Sequence, residues 1–249
     1  MIRAAVILML LVGGQVPVAL AQGESGWAPC QAGALENAMT QYKELIGKER
    51  AWRMDIAMTS FPDPDAAAAD HSTSVITCSG GLFKAIQLGF ETYQNAAICA
   101  VADPNDRVVV LSEPKLPVDL MIPQRVSTLL TGSERTSCRT DAKGSEFRIM
   151  YAEGAGPYQH IDVYYDAVGY LSRIILQWRP TTYGEGPAPL GSVHSPRIEI
   201  VPGHPHAISK QESTDLVNGL QERLDMSNGS YTTMGAWKGY KVIDTRYRP

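Results

Sequence analysis

The stretch that decides the fold is Ala51-Trp52-Arg53-Met54-Asp55-Ile56-Ala57-Met58-Thr59. Large apolar side chains occupy every second position, and polar or small side chains occupy the positions between them. Because successive side chains of a β-strand point to opposite faces, this alternation predicts a strand with one buried and one solvated face. The turn signal Phe61-Pro62-Asp63-Pro64 then ends the strand.

The residues before this strand follow a different period. Between Ala34 and Ile46, apolar residues recur at helical spacing: Leu35, Ala38, Met39, Tyr42, Leu45 and Ile46. This spacing predicts an amphipathic helix, with Gly47 at the position of a C-terminal cap.

The rest of the chain consists mainly of short apolar or alternating runs separated by turn signals. We predict strands at 72–79, 96–101, 107–111, 146–151, 160–165, 171–178, 196–201 and 237–247. Two short helices are predicted at 124–130 and 214–224, and a long loop at 180–195. The intervals between strands are too short for the helices of parallel βαβ units. The sequence therefore predicts a mainly β (α+β) fold built as an antiparallel meander.

The first 21 residues have the pattern of a cleavable signal peptide. Arg3 precedes an apolar run that is too short to span a bilayer, and Ala19-Leu20-Ala21 is a small-residue cleavage site. An uncleaved anchor is the alternative. We expect the mature chain, 22–249, to form a single exported, soluble domain in the periplasm, and not an integral membrane protein.

Charge and motifs exclude several classes of function. The formal net charge is -4, and the basic residues are scattered, which disfavours nucleic acid as a partner. None of the common catalytic or nucleotide-binding motifs occurs. His204-Pro205-His206, with His194 nearby, is the best metal candidate, but a solvated loop is the better interpretation. Asp162 and Asp166 could face each other across a turn. We predict no catalytic residue, no metal and no cofactor, and therefore no enzyme.

Four cysteines fall in the mature chain, which favours disulfides in an exported protein. Cys78 and Cys99 close the shortest loop between predicted strands, which leaves Cys30 to pair with Cys138. Free buried thiols are the alternative.

The most informative residues are apolar and alternate along the predicted strands. We expect them to share one continuous face, and they are the candidate ligand-binding residues: Trp52, Met54, Ile56, Met58, Ile161, Val163, Tyr165, Ile174, Leu176 and Trp178. Tryptophan and methionine give this face large, adaptable surfaces. The face could be an ordinary core under the helix of 34–46, or the inner face of an open concave sheet that holds an acyl chain. A core and a pocket use the same residue types, so both interpretations remain.

The predicted elements follow the order signal peptide, helix, amphipathic strand with a tryptophan, meander and helix. Paired strands come next, and they are joined by the turn Tyr164-Tyr165-Asp166-Ala167-Val168-Gly169-Tyr170-Leu171-Ser172-Arg173-Ile174. In this layout the chain resembles the LolA/LolB class of periplasmic lipoprotein carriers. The resemblance implies a single-domain half-barrel, in which a curved antiparallel sheet wraps around helices that cover its concave face. It also implies a lipid or lipoprotein acyl chain as ligand. The alternative from another class is an envelope interaction protein with a packed core, which acts on an envelope partner through its surface.

Overall fold

The computed structural model describes residues 26–246, apart from 32, 49–50, 64–65, 88, 115–129, 183–192, 226 and 228–229. Its helices are α1 (Ala34–Lys48), α2 (Lys210–Gly219) and a 3-10 turn at Gly235–Trp237. The strands of the first half are β1 (Ala28–Pro29), β2 (Ala51–Phe61), β3 (Asp70–Ser79), β4 (Leu82–Gln87), β5 (Phe90–Gln94), β6 (Cys99–Asp103) and β7 (Val108–Ser112).

The strands of the second half are β8 (Ser133–Asp141), β9 (Gly144–Tyr151), β10 (Tyr158–Asp166), β11 (Leu171–Trp178), β12 (Thr181–Thr182), β13 (Val193–His194), β14 (Arg197–Pro202), β15 (His206–Ala207), β16 (Leu224–Asp225), β17 (Thr232–Thr233) and β18 (Lys241–Asp244). Among the described residues, neither helix is long and apolar enough to cross a bilayer.

Two meanders make up the main sheet. Strands β2 to β7 pair in chain order, as do β8 to β11, and β14 lies between β11 and β2 and joins the two sets. Strand β1 adds to β8 at one edge, and β18 adds to β7 at the other. The sheet is therefore open rather than closed, and the fold is the predicted α+β half-barrel of antiparallel strands. The pairing of β18 with β7 is parallel, which the predicted meander did not include.

Helix α1 covers one face of this sheet, which we call the inner face. Its buried side chains follow the predicted helical stripe: Leu35, Met39, Tyr42 and Ile46. They pack into one core with residues from both meanders, among them Trp52, Met54, Phe83, Ile149 and Val163. The helix continues one residue beyond Gly47, which lies within its last turn and not at a cap.

Helix α2 packs on the opposite, outer face. Arg53, Thr77 and Lys84 are in register across β2, β3 and β4, and they point away from α1 because the adjacent Trp52 and Met54 point toward it. A second core forms on this side from Tyr93, Ile98, Ala100, Ala102, Val109, Leu111, Leu220, Leu224 and Trp237. Of the two α-helices in the described part of the chain, α1 therefore lies over the concave face and α2 does not.

Several predicted boundaries differ from the structure. The helix predicted at 214–224 begins earlier, at Lys210, because Ser209 and Glu212 form a reciprocal capping box at its start. The strand predicted at 237–247 is reduced to β18, since a 3-10 turn occupies Gly235–Trp237. Strands β4, β5 and β8 were not predicted. The helix predicted at 124–130 lies outside the described residues, except for Leu130.

Candidate ligand-binding face

Strand register brings the ten predicted site residues onto the inner face. Met58 pairs with Ile200, Ile200 with Ile174, and Ile174 with Val163, which makes one row across four strands. The next row contains Leu176 opposite Ile161. The other five lie an even number of residues along the same strands, so their side chains point the same way.

Burial divides these ten residues into two groups. Seven are buried in the core beneath α1: Trp52, Met54, Ile56, Ile161, Val163, Tyr165 and Ile174. The other three, Met58, Leu176 and Trp178, are only half-buried. These three therefore lie at the part of the inner face that α1 leaves uncovered.

Two further residues complete this uncovered part. Ile198 pairs with Leu176, and Ile200 pairs with Ile174, so both lie on the inner face, and both are half-buried. They were not among the predicted site residues, although charged and apolar residues alternate in Arg197-Ile198-Glu199-Ile200 and this alternation predicts that both isoleucines share one face. We call Met58, Leu176, Trp178, Ile198 and Ile200 the half-buried patch.

Aromatic rings border the half-buried patch. The ring of Tyr158 lies 5.0 Å from that of Trp178 in an edge-to-face arrangement, and 6.4 Å from that of Tyr151. Arg179 holds the adjoining loop by donating hydrogen bonds to the carbonyl oxygens of Tyr151, Ala152 and Gly156. The rings of Tyr151 and Tyr158 therefore form the rim of the half-buried patch, and hydrogen bonds from Arg179 hold the backbone beside them.

Two phenols meet at the α1 end of the inner face. The ring centroids of Tyr42 on α1 and Tyr165 on β10 are 6.3 Å apart, and Phe147 lies 5.9 Å from Tyr165. Among the described residues, neither hydroxyl has a hydrogen-bond partner, and the same is true of the buried Ser74 hydroxyl. Burial raises the pKa of both tyrosines above the usual range, with a smaller contribution from a neighbouring phenol. Both phenols therefore keep their protons and can donate hydrogen bonds.

A cavity of about 330 Å³ lies beside Tyr165, between α1 and two hairpin turns. Its lining is largely polar or small: Ala38, Gln41, Thr140, Asp141, Ala142, Gly144, Ser145, Tyr165, Asp166, Ala167 and Gly169. One hairpin is the Asp-x-x-Gly turn, in which the Asp166 carboxylate accepts hydrogen bonds from the backbone N–H groups of Val168, Gly169 and Tyr170. The other turn approaches β10 closely at Gly144, where an added Cβ would lie 1.9 Å from the Tyr165 carbonyl oxygen.

Asp162 and Asp166 do not form a shared site. Asp162 is buried on the outer face, where Arg148 donates hydrogen bonds of 2.8 and 2.9 Å to its two carboxylate oxygens. Asp166 lies in the hairpin turn, with His204 3.2 Å away, so the two aspartates do not face each other across that turn. Within the described ranges, no three His, Cys, Asp or Glu side chains are grouped as metal ligands.

The cysteine pairing predicted from loop length is wrong for Cys78 and Cys99. Cys78 pairs with Phe83, Phe83 with Gln94, and Gln94 with Cys99, so three strand spacings separate the two cysteines. At about 4.8 Å per spacing this is roughly 14 Å, beyond the Cα separation of about 7 Å that a disulfide tolerates. Cys30 and Cys138, by contrast, are neighbours, since Cys138 pairs with Ala28, two residues before Cys30. No disulfide joins any of the four in the structure.

No protein-family model matches this sequence, and no curated protein matches it. Among solved structures, the chain is similar to the lipoprotein LppX of Mycobacterium tuberculosis, with 11% identity and a TM-score of 0.37 over 72% of this chain and 99% of that one. An uncharacterized conserved protein from Thermus thermophilus has 10% identity and a TM-score of 0.39, over 84% of this chain and 98% of that one. A LolA superfamily protein from Nitrosomonas europaea has 10% identity and a TM-score of 0.27, over 72% and 95%.

Proposed function

We propose that this protein is a non-enzymatic periplasmic carrier whose inner face holds the acyl chain of a lipid or a lipoprotein. The observation that carries the proposal is the half-buried patch. Its five side chains lie in the same rows as a fully packed core, yet they retain solvent exposure where α1 does not cover them. A ligand with a flexible apolar chain would complete the packing of these rows.

The chemistry of the half-buried patch suits a chain of methylene groups. It presents three branched aliphatic side chains, a methionine and a tryptophan, and none of these places a charge on the inner face. Burying apolar surface contributes about 25 cal/mol per Å², so a chain that covers several such side chains gains several kcal/mol. Methionine adapts its shape to irregular ligands, which favours a site that accepts more than one chain length.

A surface interaction with an envelope protein is the second candidate function. The outer face has a groove of about 240 Å³ between α2 and strands β3 and β4, lined in part by Arg53, Lys84, Glu212 and Asp215. Ile86 in this groove is 43% exposed. A mixed-charge groove with an exposed aliphatic side chain suits a protein segment better than a lipid.

Two adjacent residues on β14 face opposite sides of the sheet, so substitutions at them distinguish the two candidate functions. Ile200 lies in the half-buried patch, whereas Val201 points to the outer face and is 43% exposed. We expect the protein to bind a fluorescent fatty-acid analogue with low-micromolar or tighter affinity, and Ile200→Gln to weaken binding at least tenfold. Val201→Gln, the matched control, should bind as the unaltered protein does, with circular dichroism confirming that both variants are folded.

Mass spectrometry of gently purified protein gives an independent test, because a carrier should retain lipid. Absence of copurified lipid, together with no binding of the analogue below its aggregation concentration, would overturn the carrier proposal. The outer-face candidate would then take precedence.

A further inference from the structure

Tyr42 and Tyr165 place two hydroxyl groups inside the fold where a phenylalanine would pack as well. Tyr42 is fully buried and Tyr165 is 4% exposed, and the two come from different elements, α1 and β10. Neither hydroxyl has a hydrogen-bond partner in the described part of the chain. Buried polar groups are nearly always hydrogen-bonded, because leaving one unpaired costs free energy. Two such donors on rings whose centroids lie 6.3 Å apart therefore call for an acceptor that the described part of the chain does not supply.

We propose that Tyr42 and Tyr165 donate hydrogen bonds to the carbonyl oxygen of an ester or amide at the head of the bound acyl chain. This inference rests on the proposed carrier function and specifies the ligand as an acylated molecule rather than a hydrocarbon. A carbonyl oxygen has two lone pairs and no proton, so it can accept from both phenols at once.

The cavity beside Tyr165 provides room for what lies beyond the carbonyl. It is lined by Tyr165 together with side chains that can hydrogen-bond to a hydroxyl-rich head group, including Gln41, Thr140 and Ser145. A head group in this cavity would lie between α1 and the two hairpin turns, on the side of Tyr165 away from the half-buried patch. The ligand is therefore oriented with its polar end at the hairpin turns.

The spacing along β10 fits this orientation. On β10, the nearest residue before Tyr165 that also faces the inner side is Val163, and it lies in the row that contains Ile174, Ile200 and Met58. A chain anchored at Tyr165 would follow this row past the packed side chains of Val163 and Ile174 to reach Ile200 and Met58 of the half-buried patch. From Tyr165 to Tyr158 at the aromatic rim, β10 rises about 24 Å at ~3.4 Å per residue. That length exceeds the roughly 15 Å that acyl chains span in one bilayer leaflet, so a single chain can lie between the two ends.

A matched pair of lipids tests the proposal directly. A phosphatidylcholine with ester-linked chains and its ether-linked analogue share the head group and the chains, and differ in the carbonyl oxygens. We expect the unaltered protein to bind the ester lipid about tenfold more tightly. In Tyr42→Phe and in Tyr165→Phe, binding of the ester lipid should fall toward that of the ether lipid, while binding of the ether lipid stays the same.

The control variant is Tyr164→Phe, which removes a phenol hydroxyl from the outer face of β10, where the ring packs against Arg173, and should preserve the preference for the ester. An amide-linked lipid of equal chain length then shows whether the site takes amides as well as esters. A second readout is the unfolding midpoint without ligand. It should stay the same or rise in Tyr42→Phe and Tyr165→Phe, because an unsatisfied hydroxyl is removed.

The outcomes distinguish this inference from the carrier function. If the unaltered protein binds neither lipid, the carrier function itself fails. If it binds both lipids equally and the phenylalanine variants change nothing, the carrier function stands and the carbonyl site is refuted. A lowered unfolding midpoint in both phenylalanine variants would also refute it, because the hydroxyls would then already have partners in the folded protein.

Discussion

Cys30 and Cys138 are close neighbours at the edge where β1 pairs with β8, since Cys138 pairs with Ala28, two residues before Cys30. Burial, and then the neighbouring thiol of Cys138, raise the pKa of Cys30 to about 12. Cys30 is therefore a thiol at neutral pH, and a thiol is a poor nucleophile. Oxidation of the two thiols to a disulfide releases two electrons and two protons, which an external oxidant must accept, and the raised pKa slows nucleophilic attack by Cys30.

We predict that the exported protein contains a Cys30–Cys138 disulfide. Under the chain-entropy model, closing a loop of about 100 residues stabilises the fold by up to about 4.7 kcal/mol. Titration of the denatured, unreduced protein should find two free thiols, and peptide mapping should identify them as Cys78 and Cys99. Cys30→Ser should lower the unfolding midpoint in the absence of reductant, whereas Cys78→Ser should leave the disulfide intact. Four free thiols in protein recovered from the periplasm would disprove the bond.

Alanine substitutions should distinguish the packed part of the inner face from the half-buried patch. Met54 is 1% exposed beneath α1, so Met54→Ala should cost the roughly 2–5 kcal/mol typical of a packed core. Leu176 is half-buried, and Leu176→Ala should cost clearly less. Urea denaturation measures both. Equal losses would mean that the patch is ordinary core.

Alkaline pH should destabilise the protein through the two buried phenols. Burial raises the pKa of Tyr42 and Tyr165 above the ordinary value of 10.0, to which both return on unfolding. Their contribution to stability is therefore fully present below pH 10 and is lost as the pH rises through the raised pKa values. We expect the urea midpoint to fall above pH 10, and to fall less in the double variant Tyr42→Phe/Tyr165→Phe. An equal fall in both proteins would assign the effect to other groups.

Acid should weaken the attachment of α2 to the outer face. Hydrogen bonds from the Ser209 backbone and hydroxyl, and then from Arg53, lower the pKa of Glu212 from 4.5 to about 2. This stabilisation is present above pH 4.5 and is lost as the pH falls toward 2. Glu212→Gln should flatten the dependence of the unfolding midpoint on pH in that window. If the profile is as steep in the variant, Glu212 is not its source.

The proposed signal peptide makes a prediction about the amino terminus. Cleavage after Ala21 should leave Gln22 as the first residue of the exported protein. N-terminal sequencing of protein recovered from the periplasm checks this directly. An intact Met1 would refute the cleavage and call the assigned location into question.

The sequence predicted the inner face well because that face follows simple periods. Strand β2 alternates, and α1 carries a clean helical stripe, so their buried residues could be named in advance. Ile198 and Ile200 belong to the same alternation and could have been found. Tyr42 was identified only as a core residue, because an unpaired hydroxyl becomes visible only once its neighbours are known.

The outer face could not be predicted in the same way. On β7, Val109 and Leu111 belong to the second core, but Val108 and Val110 are half-buried as well, so the continuous apolar run does not reveal which side chains enter that core. Strands β4 and β5 have polar residues such as Gln94 on the inner face, which obscured their alternation. The wrong cysteine pair has a related cause, since the shortest loop along the chain spans two intervening strands of the meander.

The position of β14 has a consequence for the order of events in folding. Each meander can assemble from hairpins between neighbouring strands, and such local contacts form quickly. The junction between the two meanders is the pairing of β14 with β2. It places Ile200 opposite Met58, which lies about 140 residues earlier in the chain, so its formation carries a large loop-closure entropy. We expect the slow kinetic phase of refolding to be the formation of this junction. Because the half-buried patch contains residues of β2 as well as of β11 and β14, the refolding protein should bind a ligand only after that final phase.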